Sequence, residues 1–288
     1  MKTNCKCVIL LLLAAIICDS YTAFSQKNKP KPLDSALEAN SEKWKVNLHK
    51  GFGTGKPEFG PYTTSNIEKT DSAAFKKRTK TGSSYGMGMG SERLLYWDFS
   101  KYETVEKSKA FTAIVATETD TAQLLFLIYR ISKEKNLTFL GEMMNGSSSG
   151  STLESKTNIS GIMTTSYDTV AWRFLLEDTF NRGGNTLPSG LERTTFGYLV
   201  TETDSLYAEP IMSNYGSPGD KYFWQSQKGV FINNETGDHL AALKFGEQGN
   251  LSNPFLVWIR KETEPAKQHV IASFFSLMMI AKMYSQTN

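Results

Sequence analysis

Beyond residue 18 the chain contains no cysteine; Cys5, Cys7 and Cys18 are its three. A mature chain without them forms neither a disulfide nor a thiolate metal site. Histidine is almost as scarce, with only His49, His239 and His269, far apart in sequence. Zinc needs three or four converging ligands, so no metal site and no cofactor is read from the residues. Neither sign of charge dominates: 32 basic side chains stand against 29 acidic ones. That balance excludes a strong electrostatic pull toward nucleic acid. After the first 25 residues no apolar run reaches the roughly twenty residues that a bilayer-spanning helix requires.

The amino terminus carries an address. Lys2 and Lys6 precede an unbroken apolar run, Val8 to Ile17, and Ala23-Phe24-Ser25 stands before Gln26. This is the pattern of a secretory signal peptide, residues 1–25, cleaved after Ser25. It predicts an exported protein, periplasmic or extracellular, and a cysteine-free exported chain of this size fits a bacterial envelope protein. Lipid anchoring through Cys18 is disfavoured, because Ile17 stands where a small residue is needed. Residues 26–40, with Lys29-Pro30-Lys31-Pro32, read as a flexible linker, and residues 41–288 as a single domain. The run Lys76-Lys77-Arg78-Thr79-Lys80 reads as a solvated loop.

From Trp44 onward the pattern is one of short apolar bursts divided by Gly, Asn, Asp, Ser and Thr, the signature of many short strands. Three pairs of bursts share one design. Phe111–Thr117 and Gln123–Ile131 flank an acidic, Thr-containing turn; so do Phe196–Thr201 with Leu206–Met212, and Val230–Asn233 with Leu240–Phe245. Asp, Asn and Gly suit such turns because they bond their own backbone or tolerate a left-handed conformation. These are antiparallel hairpins. In Val170–Leu176 the residues Val170, Trp172, Phe174 and Leu176 share one face. Leu124–Ile128 is apolar on both faces, which predicts a strand covered on both sides.

The carboxyl terminus departs from this. Thr263-Glu264-Pro265 offers a capping hydroxyl, an early acid and a first-turn proline, and Val270–Ala281 is apolar all round apart from two serines. The pattern predicts a helix over 265–284, and a helix apolar on every side must be buried on every side. The expected architecture is mainly β: an antiparallel barrel or strongly curled sheet built from hairpins around one buried hydrophobic C-terminal helix. A β-sandwich with a packed C-terminal helix is the alternative.

The hairpin Gly229–Phe245, the strand Phe255–Ile259 and the closing apolar helix resemble, in order, the end of tubby C-terminal-like domains, including the scramblase-like and LURP-one-like branches. The resemblance covers about the last sixty residues and rests on element order. It implies a closed antiparallel barrel wrapped round the helix. Tubby proper binds phosphoinositide headgroups through basic residues, and no matching motif is present here, so the resemblance implies a fold and no site.

Catalytic motifs fail on context. Gly146-Ser147-Ser148-Ser149-Gly150 matches the letters of a nucleophile elbow, but no apolar helical face follows it. Gly51-Phe52-Gly53-Thr54-Gly55-Lys56 puts Pro57 where a P-loop has Ser or Thr, and Gly86–Gly90 has no βαβ unit around it. The remaining candidates are rim acids. Glu202 and Asp204, and the trio Glu235, Asp238 and His239, are the site residues to test, with Glu118 and Asp120 in the first turn. Two acids across a groove hydrolyse glycosides, and acids at a rim also suit calcium. Trp97, Trp172 and Trp224 can stack on sugars, although strand aromatics usually belong to the core. The residues thus favour a non-catalytic binding or envelope-associated structural protein, with glycan, lipid or envelope protein as partner. A glycan-active hydrolase with paired carboxylates at the turn rim is the alternative.

Overall fold

A computed structural model describes residues 35–49, 55–89, 95–137, 151–168, 170–182, 191–215, 224–245 and 255–286. A short helix, α1 (Ser35–Asn40), leads directly into β1 (Ser41–Lys45) and β2 (Asn47–His49). Then come β3 (Lys56–Phe59), β4 (Tyr62–Met89), β5 (Leu95–Ala116), β6 (Thr121–Leu137), β7 (Ser151–Thr165) and β8 (Trp172–Arg182). The meander continues through β9 (Leu191–Val200), β10 (Ser205–Tyr215), β11 (Trp224–Asn233), β12 (His239–Lys244) and β13 (Leu256–Arg260), and ends in the helix α2 (Pro265–Gln286).

Among the described residues the thirteen strands form one antiparallel sheet in the order β1-β13-β12-β11-β10-β9-β8-β7-β6-β5-β4-β3-β2. Every strand from β2 to β13 pairs with its neighbour in sequence, as hairpin-rich sequences favour. The two ends of the sheet are β1 and β2, separated only by Val46. One bent segment therefore pairs with β13 through Ser41↔Arg260 and with β3 through Asn47↔Glu58, and Val46 N–H donates to the Phe255 carbonyl at 3.0 Å. This joins the free edges into a nearly closed barrel, which removes the unpaired rims that make open sheets aggregate. The sheet is single and continuous, so the barrel holds and the sandwich alternative does not.

The centre of the barrel is α2. Every residue from His269 to Ala281 is buried, and Phe274, Phe275 and Leu277 have no exposed surface. They meet the inward faces of the strands: Phe111, Ala113 and Val115 on β5, Leu124, Phe126 and Ile128 on β6, and Trp172, Phe174 and Leu176 on β8. The helix starts at Pro265 as the sequence indicates, but the Thr263 hydroxyl makes no hydrogen bond. Gln268 closes the entry instead, its Nε2 donating to the Thr263 carbonyl at 2.8 Å.

Four readings need correction. The lead-in over 26–40 does not stay flexible to its end: Ser35–Asn40 is α1, and its Leu37 is fully buried against Ala242 and Trp258 on the outer face of β12 and β13. Val170 precedes β8 and is exposed, so the alternating face begins at Trp172. The strand β6 is covered on one side only. Leu124, Phe126 and Ile128 face the helix, whereas Leu125 lies on the outer wall, 49% exposed. The apolar residues on both faces reflect an apolar outer wall, not a second covering layer. The basic run 76–80 lies within β4, because pairing with the long β5 extends the strand over it. Of the weighed motifs, Gly146–Gly150 lies outside the described residues, as do residues 51–54 and Gly90, while Gly86–Met89 close β4.

Candidate functional site

In an antiparallel meander alternate connections leave the same end. The turns β3–β4, β5–β6, β7–β8, β9–β10 and β11–β12 share one end of the barrel with the β13–α2 connection. The acidic turns therefore do gather on one rim. What they do there follows from their chemistry.

Two turns use the same local device. Thr117 N–H donates to the Asp120 carbonyl at 2.8 Å, and the Thr117 hydroxyl accepts from Asp120 N–H at 3.1 Å. Thr201 and Asp204 repeat this at 2.9 and 3.0 Å. In β11–β12 the Asn234 side-chain oxygen replaces the threonine hydroxyl, accepting from Thr236 N–H at 3.1 Å and Asp238 N–H at 2.8 Å. Gly237 there has φ 86°, a left-handed conformation that glycine adopts without cost from a Cβ. In β7–β8, Thr165 accepts from Asp168 N–H at 3.1 Å, and Asp168 in turn accepts from Trp172 Nε1 at 2.7 Å. A side-chain oxygen that captures backbone N–H groups makes these turns form from local sequence alone.

The candidate acids are occupied in the same way. Asp238 accepts from Asn234 Nδ2 at 3.0 Å and Thr236 Oγ1 at 2.6 Å. The Thr236 and Asn234 bonds hold its carboxyl below the usual aspartate range. Glu235 accepts from Ser205 Oγ at 2.9 Å, tying the β11–β12 turn to the start of β10. His239 stacks on Phe231, ring centroids 4.2 Å apart, and pairs its Nδ1 with Asn233 Oδ1 at 2.7 Å. The trio thus turns to three different partners. Asp204 is ion-paired to Lys267 at 2.6 Å, fastening the first turn of α2 to the rim. Glu202 is exposed at the tip of its turn, as Glu118 is at its own. Among the described residues no group of three His, Cys, Asp or Glu could hold a metal ion.

The densest polar cluster of the rim joins Asp120, Tyr167 and His269. Asp120 accepts from Ser166 Oγ at 3.0 Å and from the hydroxyls of Thr119 and Tyr167. These bonds, that of Thr119 foremost, lower the carboxyl's pKa, and the bond to Asp120 raises that of Tyr167. His269 is 2% exposed, edge-on to Tyr62 and Tyr167. Its Nε2 lies 3.1 Å from the Val115 carbonyl, which only accepts, so that nitrogen carries the proton. Separation in sequence hid this cluster: its members lie on β4, two turns and the helix.

The cluster predicts a pH dependence. Burial lowers the pKa of His269 from the ordinary 6.5, against the opposing pull of the Val115 carbonyl and Asp120. The unfolded chain then takes up this proton before the folded one does. The ring's contribution to stability is complete above about pH 6.5 and declines as pH falls through that value toward the lower folded pKa. The melting temperature of the wild type should drop between pH 7.5 and 5 more steeply than that of His269→Gln; equal slopes would remove His269 from the account. At the other extreme, burial, then Tyr167 and Glu42, push Tyr62 from 10.0 to about 12. Its stabilisation, on the order of 2 kcal/mol, persists below pH 10 and is lost as pH rises toward 12.

Open grooves lie elsewhere. One of about 520 Å³ runs along the outer wall between Asn66, Glu68, Thr112, Gln123, Leu125 and Ile162. Farther round the same wall Tyr198 and Tyr207 form a direct cross-strand pair, 41% and 44% exposed, beside exposed Phe196. Trp172, by contrast, is buried in the core, 4% exposed. No helix among the described residues is long and apolar enough to cross a membrane. Comparison of the chain with protein-family models, with curated proteins and with solved structures finds no match.

Proposed function

We propose that this is an exported protein that acts by binding, or as a structural component of a bacterial envelope, and performs no catalysis. The observation that carries this reading is where the polar groups and the space lie. The barrel interior, where many closed sheets keep a ligand, is filled by α2. The rim carboxylates Asp120, Asp204, Glu235 and Asp238 are each engaged in fastening turns, strands or the helix. Beside the exposed turn tips at Glu118 and Glu202, the accessible apolar surface lies on the outer wall, with its groove at Leu125 and Ile162 and its aromatic pair Tyr198 and Tyr207. Glycan, lipid and envelope protein are the ligand classes such a wall can serve. The tubby C-terminal-like resemblance, which rests on the order hairpin, strand and apolar helix over the last sixty residues, belongs to this proposal as an architecture without a ligand.

The test is an activity screen of the purified mature chain on a polysaccharide panel, run beside pull-down on the same insoluble polysaccharides. No turnover is expected. Turnover abolished by Glu202→Gln or Asp204→Asn, with the melting temperature of each variant preserved, replaces this reading with the glycan-active hydrolase.

A further inference from the structure

The basic run that reads as a loop in the sequence becomes, in the fold, one end of a row of cations. Within β4, Lys76, Arg78 and Lys80 lie on one face of the strand. Lys76 pairs with Lys107 on β5, Lys107 with Arg130 on β6, Arg130 with Thr157 on β7, and Thr157 with Asp178 on β8. The β5–β6 register is unbroken from Ser100 to Ala116. Lys107 therefore shares the inner face with buried Val105, Phe111 and Ala113, and Arg130 shares it with Phe126, Ile128 and Ser132. Three cations thus stand side by side on the inward-turned face, Lys107 and Arg130 half-buried and Lys76 exposed at the end of the row.

The far members of the row meet the C-terminal part of α2. Thr157, Asp178 and Thr195, which continue it, line a small cavity of about 30 Å³ with Met278, Ala281 and Lys282 of the helix. The wall of β4 to β8 runs on beyond this level. Like charges directly opposite one another destabilise a sheet, so such a row is expensive unless something offsets it. The carboxylates on the neighbouring rows offset it only in part. Glu103 and Glu134 are both engaged by Arg78, at 2.9 and 3.7 Å, and Glu103 also by Lys101 at 3.7 Å. Among the described residues Lys76, Lys107 and Arg130 make no ion pair, and Arg130 Nε is buried without a hydrogen-bond partner. Burial, then Lys76, with Arg130 and Arg78 adding to it, lower the pKa of Lys107 against the opposing pull of Glu134.

We propose that Lys76, Lys107 and Arg130 form a binding site for a compact oxyanion of the phosphate or sulfate type, on the inner face of the barrel wall, along the row that reaches the last turns of α2 at Thr157 and Asp178. Such an anion replaces the repulsion along the row with charge-assisted hydrogen bonds and gives Arg130 Nε an acceptor. Its inner position commits the site to a small anion or to a phosphate carried on a slender ligand, because a flat bilayer does not reach the concave side of the wall. The site is separate from the rim acids and from the outer wall, and its test involves no turnover.

Titration calorimetry of the full mature chain with inorganic pyrophosphate at low ionic strength tests it, with melting temperatures measured with and without the ligand. Pyrophosphate should bind and raise the melting temperature. Lys107→Met and Arg130→Gln should each weaken binding at least tenfold. Lys156→Ala, which removes a cation ion-paired to Glu177 at 2.7 Å on the outer face, should leave binding unchanged. Without ligand, Lys107→Met should melt no lower than wild type, since it relieves repulsion. Absence of binding overturns the proposal, as does binding that survives both inner substitutions or is lost equally with Lys156→Ala. Capture by phosphatidylglycerol vesicles without any pyrophosphate binding overturns it too.

Discussion

Phe275→Asp should yield no folded protein. Phe275 has no exposed surface and sits at the middle of the thirteen-residue buried stretch of α2, surrounded by the inward faces of the barrel. A carboxylate there has no cation to pair with and no water. An unpaired buried charge costs several kcal/mol even after relaxation, on top of about 3–5 kcal/mol for the lost aromatic ring. The sum rivals the roughly 5–15 kcal/mol by which a domain of this kind is stable. Circular dichroism and a melting curve decide it, and an unaltered melting temperature would falsify the burial of this helix. Phe275→Ala, which removes packing without adding charge, should fold but lose about 3–5 kcal/mol.

Gly161→Ala should be the most damaging single-methyl change in the sheet. Gly161 on β7 stands between Phe126 on β6 and Phe174 on β8, and both rings face inward. A Cβ at this position meets the Leu125 carbonyl oxygen at 2.1 Å, with Phe126 Cα and Phe174 Cζ both at 2.8 Å. Two of these atoms are backbone, so the strands themselves must part. Overpacking a core costs about 1–3 kcal/mol and sometimes more, and backbone displacement places this case at the upper end, about 3 kcal/mol. At roughly 2–4 °C per kcal/mol for a chain of this size, the melting temperature should fall by about 6–12 °C. Gly82→Ala is the control. Its nearest neighbour is Tyr102 Cδ2 at 3.8 Å, an ordinary contact, and its melting temperature should stay close to wild type. Equal shifts in the two variants would mean that strand glycines matter here for chain entropy, not for close approach.

The hairpins were legible because their turns are made locally. Thr117 captures Asp120 N–H, Thr201 captures Asp204 N–H and Asn234 captures Asp238 N–H, so three or four residues contain the whole instruction. The helix was legible because Val270–Ala281 leaves no polar face to give to water. The candidate acids were harder. Their presence on one rim follows from strand alternation, but their partners do not: Asp204 finds Lys267 across sixty residues, and Glu235 finds Ser205 across thirty. The cluster of buried Tyr62 and His269 with exposed Tyr167 left no local signal at all, since each member lies on a different element.

Two of the four misread segments are instructive for the same reason. Leu124–Ile128 is apolar on both faces, yet only the even positions are buried. Composition tells that a strand can be covered on two sides, not that a second layer exists. The run at 76–80 is as polar as a loop, yet β5 offers a partner strand along its whole length, and backbone pairing with that strand overrides its surface-like composition.

By itself, then, the sequence determined the strand-and-turn rhythm, the turn chemistry and the need to bury the last helix, all of which depend on residues within one turn or one period of each other. Only the tertiary structure decided how the sheet closes through the bent segment at Val46, which face of β6 meets solvent, and that Lys76, Lys107 and Arg130 stand in one row. Those outcomes depend on register between strands more than twenty residues apart, and a slip of one residue would send each of these side chains to the opposite face.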